Sequence, residues 1–239
     1  MQLTVLGRCG PYPRANEACS GYLVRAGQTA LLLDCGAGVL SRLRALIDIA
    51  SLDAVVLSHL HYDHCADMGV LRYALEQNQR APLPVYCPAE PAAAAAMLQS
   101  PVFDVRTLHD GLRAEVGALK LAFGAVAHPV PCFGVAVAAA EARLFYTGDT
   151  GWFDGLIPLA RGADALLCDC CFTDADAAKP AVHLSGRQAS RLAREAGAKR
   201  LYATHVPGGA DNDAALQDEL DFHPSAVVQE WGSYELSFQ

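Results

Sequence analysis

The segment "LDAVVLSHLHYDHCADMG", residues 52–69, limits what this chain can be more than any other stretch. "LDAVVLS" is a short, continuously apolar run that reads as a buried strand. It passes without a break into His59, His61, Asp63 and His64, an H-x-H-x-D-H pattern. The chain has eight histidines, so three within six residues is a concentration that a merely polar loop does not explain. His59 and His61 alternate and can point to one side. Asp63 and His64 come after a bend and can point to a neighbouring position. The held backbone of the strand fixes where all four groups begin.

Imidazole nitrogen together with carboxylate oxygen suits zinc, and also iron or manganese. Two adjacent groups of ligands suggest two metals, and four side chains are too few for both, so more donors are needed downstream. Three stand at the ends of predicted strands: His128 closes "LAFGAVAH", Asp149 closes "ARLFYTGD" and His205 closes "KRLYATH".

The rest of the chain reads as alternating strands and helices. "LTVLG", "GYLVRAG" and "TALLLDCG" are strands, the last two a hairpin, followed by a helix over "AGVLSRLRALID". "ADMGVLRYALEQNQ" is the next helix. Strand "LPVYC", helix "PAAAAAMLQ" and strand "FDVRTL" follow, then β-like runs "ALKLAFGAVAH", "FGVAVAAA" and "ARLFYTGD". Strand "ADALLCDCC", helix "SGRQASRLAREAG", strand "KRLYATH" and helix "AALQDEL" complete the series. Hairpins early, helix-joined strands later and polar groups at strand ends predict a layered α/β architecture, with residues 1–239 as one domain.

Composition closes off other classes. Hydrophobic residues make up 52% and charged residues 18%, enough for a core and too little charge for a disordered chain. A net charge of −8 argues against a broad basic surface for nucleic acid, although bound divalent metals can invert the local potential. No apolar run is long enough to span a bilayer, and "MQLTVLGRCG" lacks the pattern of a secretory signal, so a cytosolic location is expected. There the nine cysteines should be thiols, and Cys168, Cys170 and Cys171 of "CDCC", without zinc-ribbon spacing, read as small apolar side chains of a strand.

H-x-H-x-D-H, then His128, Asp149 within "GDT" and a final His205, resembles the pattern of the metallo-β-lactamase superfamily, over nearly the whole chain. The resemblance implies an αββα sandwich with the metals at one edge. It implies two divalent cations, zinc first and manganese or iron next: His59, His61 and His128 at one, Asp63, His64 and His205 at the other, Asp149 bridging both. It also implies that Asp34 of "LLLDCGAG" braces the metal loop, and that the two cations make a bridging water available as hydroxide near neutral pH. Asp63 reads equally as a ligand that orients this nucleophile or as a structural ligand.

Within the superfamily, "HLSGRQASRLAREAGAKRLYATH" is similar to the ribonuclease Z branch. His183 becomes the candidate catalytic group that is not a ligand, donating a hydrogen bond or a proton to phosphate, while Ser185 caps the following helix. Asp169 stands where that branch carries Glu, and either orients His183 or is an ordinary strand-end acid. The long tRNA-binding arm of ribonuclease Z has no room between His128 and Asp149. The expected activity is therefore phosphodiester hydrolysis on a small or nucleotide-like substrate. A tRNA 3′-end endoribonuclease and a non-catalytic metal-binding regulator are the alternatives, and a second copy of the chain is an allowed partner. Thioesters, lactones and β-lactams stay open as substrates, because fold and metals alone do not fix the substrate. Asp67 reads as a first-turn helix acid or a partner of a ligand imidazole, Arg14 as a surface arginine or an anion contact, and Trp152 as pocket wall or core. His109 and His223 read as exposed.

Overall fold

Apolar side chains alternate along the strands in a way that demands two sheets with an outer layer on each. In residues 29–33, Leu31 and Leu33 enter one core while Ala30 and Leu32 enter another. Residues 165–168 divide likewise, Ala165 and Leu167 facing the first core and Leu166 and Cys168 a third. The structure, a computed structural model, describes residues 1–77, 81–140, 142–173, 181–207 and 210–236.

One sheet holds β1 (Gln2–Gly7), β2 (Gly21–Ala26), β3 (Thr29–Leu33), β4 (Ala54–Val56), β5 (Leu83–Cys87) and β6 (Phe103–Thr107) in sequential order. The other holds β7 (Arg113–Val116), β8 (Leu119–Ala125), β9 (Phe133–Ala139), β10 (Ala142–Tyr146), β11 (Ala165–Asp169), β12 (Arg200–Thr204) and β13 (Ser225–Val227), also sequential. β14 (Ser233–Glu235) returns to the first sheet beside β1. The central core lies between the sheets and includes Val5, Tyr22, Leu33, Val56, Phe123, Val135, Leu144 and Tyr146.

Helices cover the outer faces. α1 (Val39–Leu46) and, past the single turn α2 (Tyr62–Cys65), α3 (Met68–Glu76) set Leu43, Leu71 and Leu75 on the first sheet. The predicted 91–99 helix is divided, into α4 (Ala92–Ala95) and a 3₁₀ turn at Ala96–Leu98. α5 (Leu156–Ala160), α6 (Gly186–Ala196) and α7 (Ala210–Glu219) set Leu156, Leu192 and Leu216 on the second sheet. The result is the expected αββα sandwich. Among the described residues no helix is long and apolar enough to cross a membrane.

The order of connections differs from the expectation. Hairpins do not precede crossovers once along the chain; they do so in each sheet. β1–β2–β3 are antiparallel and β3 to β6 parallel; β8–β9–β10 are antiparallel and β10 to β13 parallel. Asp34, His59 to His64, Asp149, Asp169 and His205 stand at or just past the C-terminal ends of the parallel strands β3, β4, β10, β11 and β12, while His128 follows the antiparallel β8. This is the end where open α/β sheets place their ligands.

Candidate metal centre

β4 delivers the first group of donors. Its apolar residues fix the backbone up to Ser58, and the chain then leaves the sheet through His59 and His61 into α2. His128, three residues beyond β8, joins them from the other sheet. His61 Nδ1 lies 3.0 Å from His59 Nε2 and 3.3 Å from His128 Nε2. Three imidazoles that converge on one point cannot satisfy one another with protons alone. Burial pushes all three below the ordinary histidine range, His59 furthest, so their lone pairs are available.

Asp63, His64, Asp149 and His205 form the second group, their donor atoms within 4.8 Å of one another. His64 Nε2 and Asp149 Oδ1 are buried 3.3 Å apart, and neither has a well-formed hydrogen bond. Buried polar atoms in that condition are costly unless something else satisfies them. A divalent cation between them would do so, and the nitrogen and oxygen donors suit zinc, manganese or iron. Asp149 also reaches towards both groups: Oδ2 is 3.2 Å from His205 Nε2 and 3.7 Å from His59 Nε2. Burial works against its charge, yet His205, His64 and His59 hold it well below the usual carboxylate range. His64 is the reverse case. Burial opposes its charge, but Asp149, Asp34 and Asp63 raise it well above the ordinary value.

The supports are as specific as the donors. Asp34 is fully buried and accepts from Ser58 N (2.7 Å), Ser58 Oγ (2.9 Å), His64 Nδ1 (2.8 Å) and the Tyr146 hydroxyl (2.6 Å). It therefore fixes the start of the histidine loop and leaves His64 Nε2 for the centre. Ser58 also contacts His59 Nδ1 at 3.1 Å, and Ser20 lies 3.2 Å from His205 Nδ1. Asp34 and His205 both have left-handed backbone, φ 56° and 57°, a strain of about 1–3 kcal/mol each that tight surroundings must offset. A β-carbon at Gly10 would collide with the His205 ring, so this loop can approach only as glycine.

His183 sits beside these groups, 5.1 Å from the His205 ring and 5.6 Å from the His128 ring, centre to centre. Its Nδ1 is 2.9 Å from Asp169 Oδ2. Asp169 is fully buried and also accepts from Thr150 N and Cys171 N, so it is itself held in place behind His183. Burial opposes the charge on His183, but Asp169 outweighs it and raises His183 to about 9. Ser185 caps α6 in a capping box with Gln188, so the His-Leu-Ser segment both starts a helix and aims the imidazole.

Other predicted residues fall elsewhere. Asp67 touches no ligand imidazole; it accepts from Leu40 N at 2.8 Å and so caps α1, a neighbouring helix rather than its own. Arg14 is not a bare surface group. It donates to Pro207 O and to Asp213, both at 2.7 Å. Trp152 is half-buried on the α5–α6 core, under the Arg191 guanidinium. His109 and His223 are exposed, and all nine cysteines are buried thiols. No local pattern announces Ser20, 185 residues from its histidine, or Tyr146. Ser58, directly before the first histidine, could have been found.

Residues 29–206 match the family described as "Beta-lactamase superfamily domain". The chain is 35% identical over 218 residues to "Probable metallo-hydrolase YhfI" of Bacillus subtilis, covering 87% of each chain. The chain belongs to the metallo-β-lactamase superfamily. The crystal structure of YhfI superposes with a TM-score of 0.89 at 33% identity, covering 98% of this chain and 99% of that one. A ribonuclease Z of Mycobacterium bovis is 32% identical over 242 residues, 86% of this chain and 85% of its own. Short-form human tRNase Z, at 20% identity and a TM-score of 0.79, shares the fold over the full length of both chains. Superfamily and donor cluster together support a metal-dependent hydrolase.

Proposed function

We propose that the chain is a dinuclear metal-dependent phosphodiesterase acting on a small or nucleotide-like substrate. The observation that carries this reading is His183, held through Nδ1 by buried Asp169 at the margin of the seven donors His59, His61, Asp63, His64, His128, Asp149 and His205. A cationic imidazole so placed suits an anionic phosphodiester better than a neutral lactam or thioester. When bound, two divalent cations, zinc first, supply an activated water and electrophilic contacts to the phosphoryl oxygens. The chain's own residues do the rest. His183 donates to a phosphate oxygen or gives its proton to the departing alkoxide, and Asp169 keeps it charged and aimed. Asp63, beside His64 and His205, orients the attacking oxygen.

The similarity to ribonuclease Z supports phosphodiester chemistry and keeps tRNA as the second reading. Against a tRNA substrate stand the net charge of −8 and the segment from His128 to Asp149, where β9 and β10 form a hairpin. Recognition of a long nucleic acid draws on phosphate contacts far from the scissile bond. Protein prepared without chelator should carry two equivalents of metal, hydrolyse a chromogenic phosphodiester and cleave precursor tRNA poorly. Site-specific tRNA cleavage at physiological salt would replace this reading with the endonuclease. Thioester or lactone hydrolysis without phosphodiester turnover would move it to another reaction class.

A further inference from the structure

Two residues beyond β11 stands a thiol that the proposed mechanism does not use. Cys171 follows Asp169 by two residues, is buried, and its sulfur lies with donor atoms of His183 and His205 in a group within 4.8 Å of one another. Both imidazoles have Nδ1 occupied from behind, His183 by Asp169 at 2.9 Å and His205 by Ser20 at 3.2 Å. That arrangement fixes the ring and leaves the other nitrogen forward, as second-sphere partners do for metal-ligating histidines. A different thiol cluster, Cys9 with Glu17 and Glu230, lacks this character: Arg8 and Arg14 take up Glu17, and Arg42 takes up Glu230 at 2.6 Å.

We propose that Cys171, His183 and His205 form an alternative coordination set for a soft, thiophilic divalent cation, and that filling it inhibits the enzyme. Thiolate and imidazole together select soft and borderline cations, whereas the neighbouring set of two carboxylates and two imidazoles accepts hard ones as well. Ligand lengths of about 2.0–2.3 Å mean that a small side-chain adjustment closes the set. On binding, the thiol proton leaves to solvent, and the forward nitrogen of each imidazole gives its lone pair to the cation. Two consequences follow from the shared residues. His205 cannot serve both sets, so a soft cation displaces the second resident metal. His183 can no longer donate to phosphate, a consequence that rests on the proposed function.

The test uses manganese-loaded holoprotein titrated with cadmium chloride. Three quantities are followed: the ultraviolet cadmium–thiolate charge-transfer band, manganese release and phosphodiester turnover. The band should grow to one equivalent while one manganese is released and turnover falls. Cys171→Ser, close to the native side chain in size, and Cys171→Ala should both lose the band. Their half-inhibiting cadmium concentration should rise by at least about tenfold, the lower end of the loss caused even by outer-sphere changes at metal sites. His183→Ala should weaken the band as well. No band in the wild-type protein, or one that survives in both Cys171 variants or is unchanged in His183→Ala, overturns the proposal. The band is read without any substrate, so absence of phosphodiester turnover would count against the proposed function and leave this result standing.

Discussion

The two sheets follow one path and supply the centre in opposite ways. In each, antiparallel strands lead into a parallel run, and the first parallel strand is followed by an aspartate: Asp34 after β3, Asp149 after β10. Asp34 turns inward and spends its oxygens on Ser58, His64 and Tyr146. Asp149 turns towards the donors and keeps Oδ1 without a hydrogen bond. The first sheet concentrates four donors in one loop after β4. The second supplies His128, Asp149 and His205 singly, with the Asp169–His183 pair added. The same topology thus yields a rigid base in one half and a reactive rim in the other.

The largest test of that contrast is made at the two aspartates. Asp149→Asn keeps the shape but removes the charge that would offset the proposed cations, and Asp149→Ala removes both donor atoms. Both variants should lose most bound metal and fall to background turnover, with little change in folding of the metal-free chain. Asp34→Asn should behave differently. It leaves the buried donors of Ser58, His64 and Tyr146 poorly matched, at about 1–3 kcal/mol for each one stranded. Its main effect should be a lower melting temperature, already visible without metal. Elemental analysis and thermal denaturation of metal-free protein separate the two. Near-normal activity in either Asp149 variant would remove Asp149 from the centre, and equal loss of stability at both positions would erase the distinction between base and rim.

The same contrast decides what could be read from the sequence. The first sheet's contribution is local: H-x-H-x-D-H is visible because four donors share six residues after an apolar strand. The second sheet's donors were found only through their place at strand ends, and His183 only through the family resemblance. Bonds between distant parts of the chain left no local trace. Ser20 and His205 come together where Cys9 bridges to both Cys19 and Val206, and Asp67 caps α1 because the fold sets it beside Leu40. The bond from Arg14 to Asp213 in α7 leaves no local trace for the same reason. Strands β7, β13 and β14 escaped because they are short and draw their order from a neighbour. The charged "RAEV" and "SYE" do not alternate strongly enough to announce themselves.

A second test lies on the rim alone. His183→Ala removes the proposed donor to phosphate but none of the seven metal donors. Phosphodiester turnover should fall about 10²–10⁴-fold, the range for general acid–base assistance, with two equivalents of metal retained. A variant that loses metal along with activity would make His183 part of the base, and the proton-donor role would fail.

The smallest effect, and the one that reads the Asp169–His183 pair most directly, is a change in the shape of a pH profile. Burial disfavours the charged imidazole, while the Asp169 carboxylate, 2.9 Å away, raises it to about 9. A raised value means that the cationic form persists through neutral pH. A rate that needs it is complete below the ordinary histidine range and is lost as pH rises through the raised value. Asp169→Asn keeps a hydrogen-bond acceptor and removes the charge. The alkaline limb of kcat should then move to lower pH, while the acidic limb, set by other groups, stays in place. At low pH, where His183 is protonated in both proteins, variant and wild type should converge. The gap should open with rising pH, by at most about tenfold for each unit the limb has moved. Bound metals add positive charge nearby and lower both limbs together, so the comparison between the two proteins keeps its sign. A profile that is scaled down uniformly without moving would mean that Asp169 only holds the ring in place, and the charge on His183 would no longer be part of the mechanism.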